Sequence, residues 1–342
     1  MSTFQTDFAL RGDPREVKSE AVSQLDHALA VAAGCPLESI LHGIDPRRVL
    51  TFGSGGPPVW SVAQGRCANG DVLSVTYGLS QFIDPAASFG HEMSIRVASD
   101  GSADGPRWPM FFLRALARYQ ITSGRELRAG EVMPFGESIT RTAMAPEHKG
   151  TMPDSPLQAI AVVDDPLMQS VRRVYGLHAD ELDLGQAWSP AGLMSLVAER
   201  TPTLSTDVAR GTWSRDPVIR AGVDAGRARE GSSAGAALVA GLRWEKLANG
   251  VAVHFPEGCA KTVMELIDGR IGFGRRLLLH DVAQAPCTEV GFTVSDTDFV
   301  EVRSPAMVEI GVHKDSMLFA ALRMAANEAN PSAVTMRLTS PA

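Results

Sequence analysis

Hydrophobic and polar positions along the chain follow two periods. Val17, Ala21, Leu25, Ala28 and Val31 recur at three- and four-residue intervals, with Asp13 as N-cap, Pro14 at the first helical position and Gly34 just past the end, which predicts a helix over residues 14–33. After a glycine- and proline-rich loop at residues 51–60, residues 71–79 and 91–98 read as strands. In the second, Met93, Ile95 and Val97 alternate with Glu92, Ser94 and Arg96, the pattern of a strand with one face in water. Pro109 opens and Gly124 closes a helix that turns Phe112, Leu113, Leu116 and Tyr119 toward a core. Residues 157–163 read as a fully buried strand, and Ser189 with Pro190 starts a short helix.

From Val251 onward the texture changes to short strands, VAVHF, KTVMELI, RRLLLH, TEVGFTV, DFVEVR and MVEIGV, then a helix around residues 316–328 and a last strand, AVTMRL. The polar turn in LRWEKLANG separates the two textures. The expectation is an α+β (mixed α/β) chain of two mixed sheet-and-helix domains, residues 1–243 and a smaller, strand-rich domain at 244–342. The length supports this division, because 342 residues exceed the size at which one hydrophobic core usually stops growing.

Composition narrows the function. With 44% hydrophobic and 21% charged residues the chain can bury a sizeable core. The net charge of -7 is spread out and no Lys/Arg cluster approaches the density that a phosphate backbone demands, which argues against nucleic acid as a direct partner. The apolar runs are far shorter than the roughly 20 residues of a membrane span. The start, MSTFQTDFALRGDPREV, shows no basic region followed by an apolar run, so a cytoplasmic location without leader is expected. Cys35, Cys67, Cys259 and Cys287 lie far apart without a CxxC pair, as reduced, buried thiols do.

Each candidate chemical motif meets a plainer reading. Gly53, Gly55 and Gly56 precede Pro57 and Pro58, which lack the N–H groups that a phosphate loop uses. Asp100, Ser102 and Asp104 open like a calcium loop, but Phe111 stands where the bidentate carboxylate belongs. Gly231, Ser233 and Gly235 satisfy the G-x-S-x-G pattern of a nucleophile elbow, yet AGRARE, polar and helix-like, replaces the strand that should precede it. His91 and Glu92 are adjacent on a strand and point to opposite faces, and Asp164 with Asp165 before Pro166 suits a turn. No nucleophile, base and orienting group come together, so no catalytic residue, metal or cofactor is expected and a binding role is favoured.

Several blocks in one order carry a family resemblance: VTYGLSQF, FGHEMSIRV, RWPMFFLRALARY, IAVVDDPLMQ, YGLHADELDLGQAWSPAGLMSLV and LSTDVARG. Over residues 71–244, and more faintly through VAVHF and LIDGRIGFGRRLLLH, the chain resembles the Suppressor of fused family. The resemblance implies two α/β domains closing around a cleft, and a binding function. Animal members take a short extended peptide of the Hedgehog-pathway zinc-finger transcription factor as an added strand between the domains, and bacterial relatives have been proposed as immunity proteins that neutralise toxins. Two departures stand out. Only EKLANG separates Trp244 from Val251, where animal members carry a long regulated insertion, and the peptide-contacting loop is shortened to FIDPAAS, with Ile83 in place of an aromatic. The alanine- and arginine-rich composition is bacterial in style.

The expected function is therefore non-enzymatic capture of another protein or an extended peptide, with a structural subunit and a hydrolase built on Ser233 as alternatives. The apolar run 236–242 is the candidate strand edge, with Leu238, Ala240 and Leu242 as contacts; the alternative is an internal strand paired on both sides. Phe82 and Ile83 would add an apolar wall, and Asp84 an acceptor.

Overall fold

The structure is a computed structural model that describes residues 14–42, 61–80, 90–99, 101, 105–142, 154–255, 259–281, 287–316, 318–320 and 335–339. It divides into two compact units, Met1–Leu182 with Met194–Trp213, and Asp183–Leu193 with Ser214–Ala342.

The first unit is built on a seven-stranded sheet of β1 (Leu41–His42), β2 (Ser61–Arg66), β3 (Val72–Tyr77), β4 (Glu92–Val97), β5 (Val132–Pro134), β6 (Ala159–Asp164) and β7 (Val171–Leu177), in the order β1-β2-β3-β4-β7-β6-β5. Only the central β4–β7 pair is parallel. Two helices supply the apolar cover, α1 (Pro14–Ala33) and α2 (Trp108–Ser123). Pro109 sits in the first turn of α2, and Gly124 caps it in the left-handed region, as the sequence signals require. Trp108, Phe112, Leu113 and Leu116 of α2 join Val72, Met93, Ile95 and Val97 in one cluster. Leu29 and Ala33 of α1 join Leu73, Val75, Tyr77 and Val171 in another. Val72 and Leu73 are neighbours on β3 and point to opposite faces, so the sheet is buried on both sides. The expectation that β4 keeps one face in water is thereby corrected: all six of its residues are buried, Glu92, Ser94 and Arg96 included.

A short α3 (Ile139–Thr142) lies between β5 and β6 in the chain, and after β7 come α4 (Ala179–Ala187), α5 (Pro190–Arg200) and α6 (Pro217–Glu230). Asp216 caps α6, its Oδ1 accepting from the N–H groups of Val218 and Ile219. The second unit contains a five-stranded sheet ordered β13-β14-β12-β11-β8 and a three-stranded sheet ordered β15-β10-β9. Their strands are β8 (Ala236–Leu238), β9 (Arg243–Leu247), β10 (Gly250–His254), β11 (Leu277–Asp281), β12 (Thr288–Val294), β13 (Phe299–Ser304), β14 (Met307–Val312) and β15 (Thr335–Thr339). One core holds Phe255, Val263, Met264 and Ile267 with Leu277, Leu279, Val290, Phe292, Val308 and Ile310, the second to fourth of these from α7 (Ala260–Ile271).

Two expectations change here. Residues 243–254 are a β-hairpin, Gly250 opposite Leu247, because a two-residue turn at Ala248 and Asn249 joins two paired strands. KTVMELI lies in α7, its Val263, Met264, Leu266 and Ile267 sharing a helical stripe. Of the four free cysteines only Cys67 is fully buried. The loop at 51–60, residues 102–104 and the end of the helix expected at 316–328 lie outside the described residues.

Candidate docking edge

Strand β8 is an edge. It runs parallel to β11, with Ala236, Ala237 and Leu238 opposite Leu278, Leu279 and His280. Leu278 N–H donates to the Gly235 carbonyl at 3.0 Å, and Val239 N–H donates to the His280 carbonyl at 2.9 Å. Backbone polar groups alternate sides along a strand, so the N–H and C=O of Ala236 and Leu238 point away from β11. Among the described residues no strand lies on that side.

The side chains alternate too. Ala237 and Val239 enter the core, whereas Ala236 and Ala240 are exposed and Leu238 is 61% exposed. Leu242 departs from the expected contact set: it is fully buried. The strand ends after Leu238, where Gly241 adopts φ 80 and donates to Asp281 Oδ2 at 2.6 Å, a turn that drives Leu242 inward. Phe82, Ile83 and Asp84 lie outside the described residues.

A rigid lead-in holds the start of this edge. Gly231 has φ 67, and a Cβ there would meet the Gly269 carbonyl at 2.3 Å and the Phe273 ring at 2.4 Å, so only glycine fits. The close approach lets Ser232 N–H donate to Gly269 O at 2.7 Å, while Ser233 N–H donates to Trp188 O at 2.6 Å. Trp188 is wedged between Gly192 and Gly226, each too close to its ring to carry a side chain, and its indole N–H donates to Glu230 at 2.9 Å. The G-x-S-x-G pattern thus has a backbone explanation. Ser233 follows a helix and precedes a strand, the reverse of a nucleophile elbow.

Two guanidinium groups converge on the same turn. Arg270 donates from Nη1 to Ser232 O at 2.9 Å and from Nε and Nη2 to Arg276 O, and Arg275 Nη1 donates to Ser232 O at 3.1 Å. Burial lowers the pKa of Arg270, and the neighbouring Arg275 charge lowers it further. Both arginines come from the LIDGRIGFGRRLLLH block, the signal in the sequence that pointed here without revealing their position.

The first unit carries three buried polar networks. Glu92 accepts five hydrogen bonds, from the hydroxyls of Thr76 and Ser80 and from the N–H groups of Gly78, Leu79 and Ser80. Burial raises its pKa, and these donors offset part of the rise. Arg173, fully buried, donates to Asp165 Oδ2 at 2.7 and 2.9 Å and to the Thr203 carbonyl, with Ser94 beside the pair. Asp165 Oδ1 meanwhile accepts from the N–H groups of Leu167 and Met168, the turn role read from Pro166. Glu181 receives Arg210 on both oxygens, the nearer contact at 2.5 Å, and the N–H groups of His178 and Trp213. The Arg210 guanidinium lies 5.3 Å from the Tyr175 ring centroid and 5.6 Å from that of Trp213. Burial works against its charge, but the Glu181 bonds outweigh it and raise its pKa. Among the described residues no cluster of His, Cys, Asp and Glu is placed to hold a metal ion, and no helix is long and apolar enough to cross a membrane.

These networks join the sequence blocks in pairs: FGHEMSIRV to VTYGLSQF through Glu92, IAVVDDPLMQ to β7 through Asp165, and YGLHADELD to LSTDVARG through Glu181. The same stretch, residues 61–211, matches the family model described as Suppressor of fused protein. Over this segment the chain is similar to the Suppressor of fused family. A comparison with curated proteins finds no significant match. Among solved structures, Drosophila Suppressor of Fused aligns over 89% of both chains with 14% identity and a TM-score of 0.64, which shows a shared fold. A Sufu–Fu complex aligns over 59% of this chain and 96% of its own (16% identity, TM-score 0.48), and a Suppressor of fused homolog from Neisseria gonorrhoeae over 58% and 97% (14%, 0.38). The β8 edge lies beyond the segment that the family model covers.

Proposed function

We propose that this chain is a non-enzymatic binding protein that captures an extended segment of another polypeptide along β8. One observation carries the reading: among the described residues β8 is paired on one side only, with the backbone groups of Ala236 and Leu238 turned outward and Leu238 61% exposed. An added strand satisfies such groups by main-chain hydrogen bonds, and side chains entering alternate positions supply specificity. The family match supports a protein partner, as the solved Sufu–Fu complex illustrates for its own chains. The reading's more specific form, an immunity protein whose partner is a toxin, rests on the sequence resemblance alone.

The test uses Leu238→Pro. Proline removes the outward N–H of residue 238 and leaves the ladder to β11 intact, because the groups bonded to β11 belong to residues 235, 237 and 239. The wild-type chain is expected to retain one stoichiometric partner from its host, to lose it in the variant, and to slow amide exchange at residues 236–240 when the partner is bound. Equal retention by wild type and a folded variant overturns the reading. Toxicity of the captured protein when expressed without this chain tests the immunity form.

A further inference from the structure

Strand capture alone leaves unexplained why, among the described residues, two arginines at the start of β8 hydrogen-bond to carbonyls and to no carboxylate. Among the described residues, Arg270 and Arg275 donate only to the carbonyls of Ser232 and Arg276. The other charges around them are matched: Arg229 with Glu230, Arg276 with Glu309, and Arg227 with Glu265. Glu230 feels the charge of Arg275, but its hydrogen bonds go to Arg229 and the Trp188 indole. Arg275 is exposed, as are Ser233 and Gly235 along the path from the arginines to the edge, and Phe273 is 40% exposed beside them. In a chain of net charge -7, this is a local positive spot joined directly to an open strand edge.

Resting on the strand-capture reading, we infer that the captured segment carries an acidic side chain that meets Arg275 and Arg270 at the Ser232 end of β8. The two guanidiniums share one carbonyl acceptor, so a carboxylate that approaches them gains charge-assisted hydrogen bonds from donors the turn already holds in place. Ser232 precedes Ala236 by four residues, about 13 Å of extended chain. An arginine side chain covers part of that span. The acidic residue therefore lies about two to four positions beyond the one opposite Ala236, toward the Ser232 end. Charge thus fixes the register, which three strand residues specify weakly by themselves.

The probe is a library of random dodecapeptides displayed on phage and selected on the full chain. The expected peptides share an acidic residue at one fixed distance from an alternating apolar stretch. They bind Arg275→Glu about tenfold more weakly, and a Lys-for-acid peptide recovers that variant while losing wild type. Peptides that need Leu238 but show no acidic position and bind Arg275→Glu like wild type overturn the inference and leave strand capture standing. Peptides indifferent to Leu238→Pro, or no selected peptide at all, overturn both. Arg275 is exposed and outside every core cluster, so circular dichroism of Arg275→Glu separates lost binding from lost fold.

Discussion

Strands β4 and β8 occupy opposite positions in their sheets. β4 alternates apolar and polar residues as a half-wet strand does, yet it lies in the middle of a sheet covered by α1 and α2, and its polar residues serve as internal partners. β8 belongs to an apolar run that its sequence leaves open between a sheet edge and an internal strand, and it lies at a sheet edge with Leu238 exposed. In β4, burial leaves charged groups nothing but one another and the backbone, so each is bonded and the strand has no capacity for a ligand. In β8 the polar groups left over are those of the backbone, which any extended chain can satisfy. Capacity for binding follows position in the sheet more closely than polarity of the sequence.

The comparison is sharpened first at Arg173. Arg173→Met leaves Asp165 as a buried, unpaired charge and is expected to destabilise the first unit by about 3–5 kcal/mol, read as a lower urea midpoint. Smaller, about 1–3 kcal/mol, is the cost of Glu92→Gln, whose amide nitrogen must face a ring of donors. This variant also changes the pH response. Burial raises the folded pKa of Glu92, so the folded state holds its proton more tightly than the unfolded chain. The contribution is full below the unfolded value near about 4.3 and is lost as pH rises through the folded one. Wild-type stability therefore falls more steeply than that of Glu92→Gln from about pH 4 upward, measured by urea titration across that range.

At the lead-in to β8, Gly231→Ala forces a Cβ against the Gly269 carbonyl at positive φ, and a loss of about 1–3 kcal/mol is expected in thermal unfolding. The edge itself should be nearly silent: Leu238→Thr is expected to change stability by no more than about 0.5 kcal/mol, because the side chain is exposed. A loss of several kcal/mol there would show that β8 is covered, and the contrast with β4 would collapse.

Much of the architecture is legible locally. Proline and glycine bracket α2, and Pro14 opens α1, since capping preferences act within a few residues. The family blocks were legible as well, because networks such as Glu92 with residues 78–80 demand specific residue types at both ends. What only the tertiary structure decided is which face meets what. That β4 is covered twice, that Leu242 turns inward while Leu238 stays out, and that Arg270 and Arg275 stand beside Ser232 depend on partners between about thirty and eighty residues away. Local periodicity records that a residue alternates, but whether a helix, a strand or water lies on each side is fixed only when distant segments pack, and that packing left β8 open.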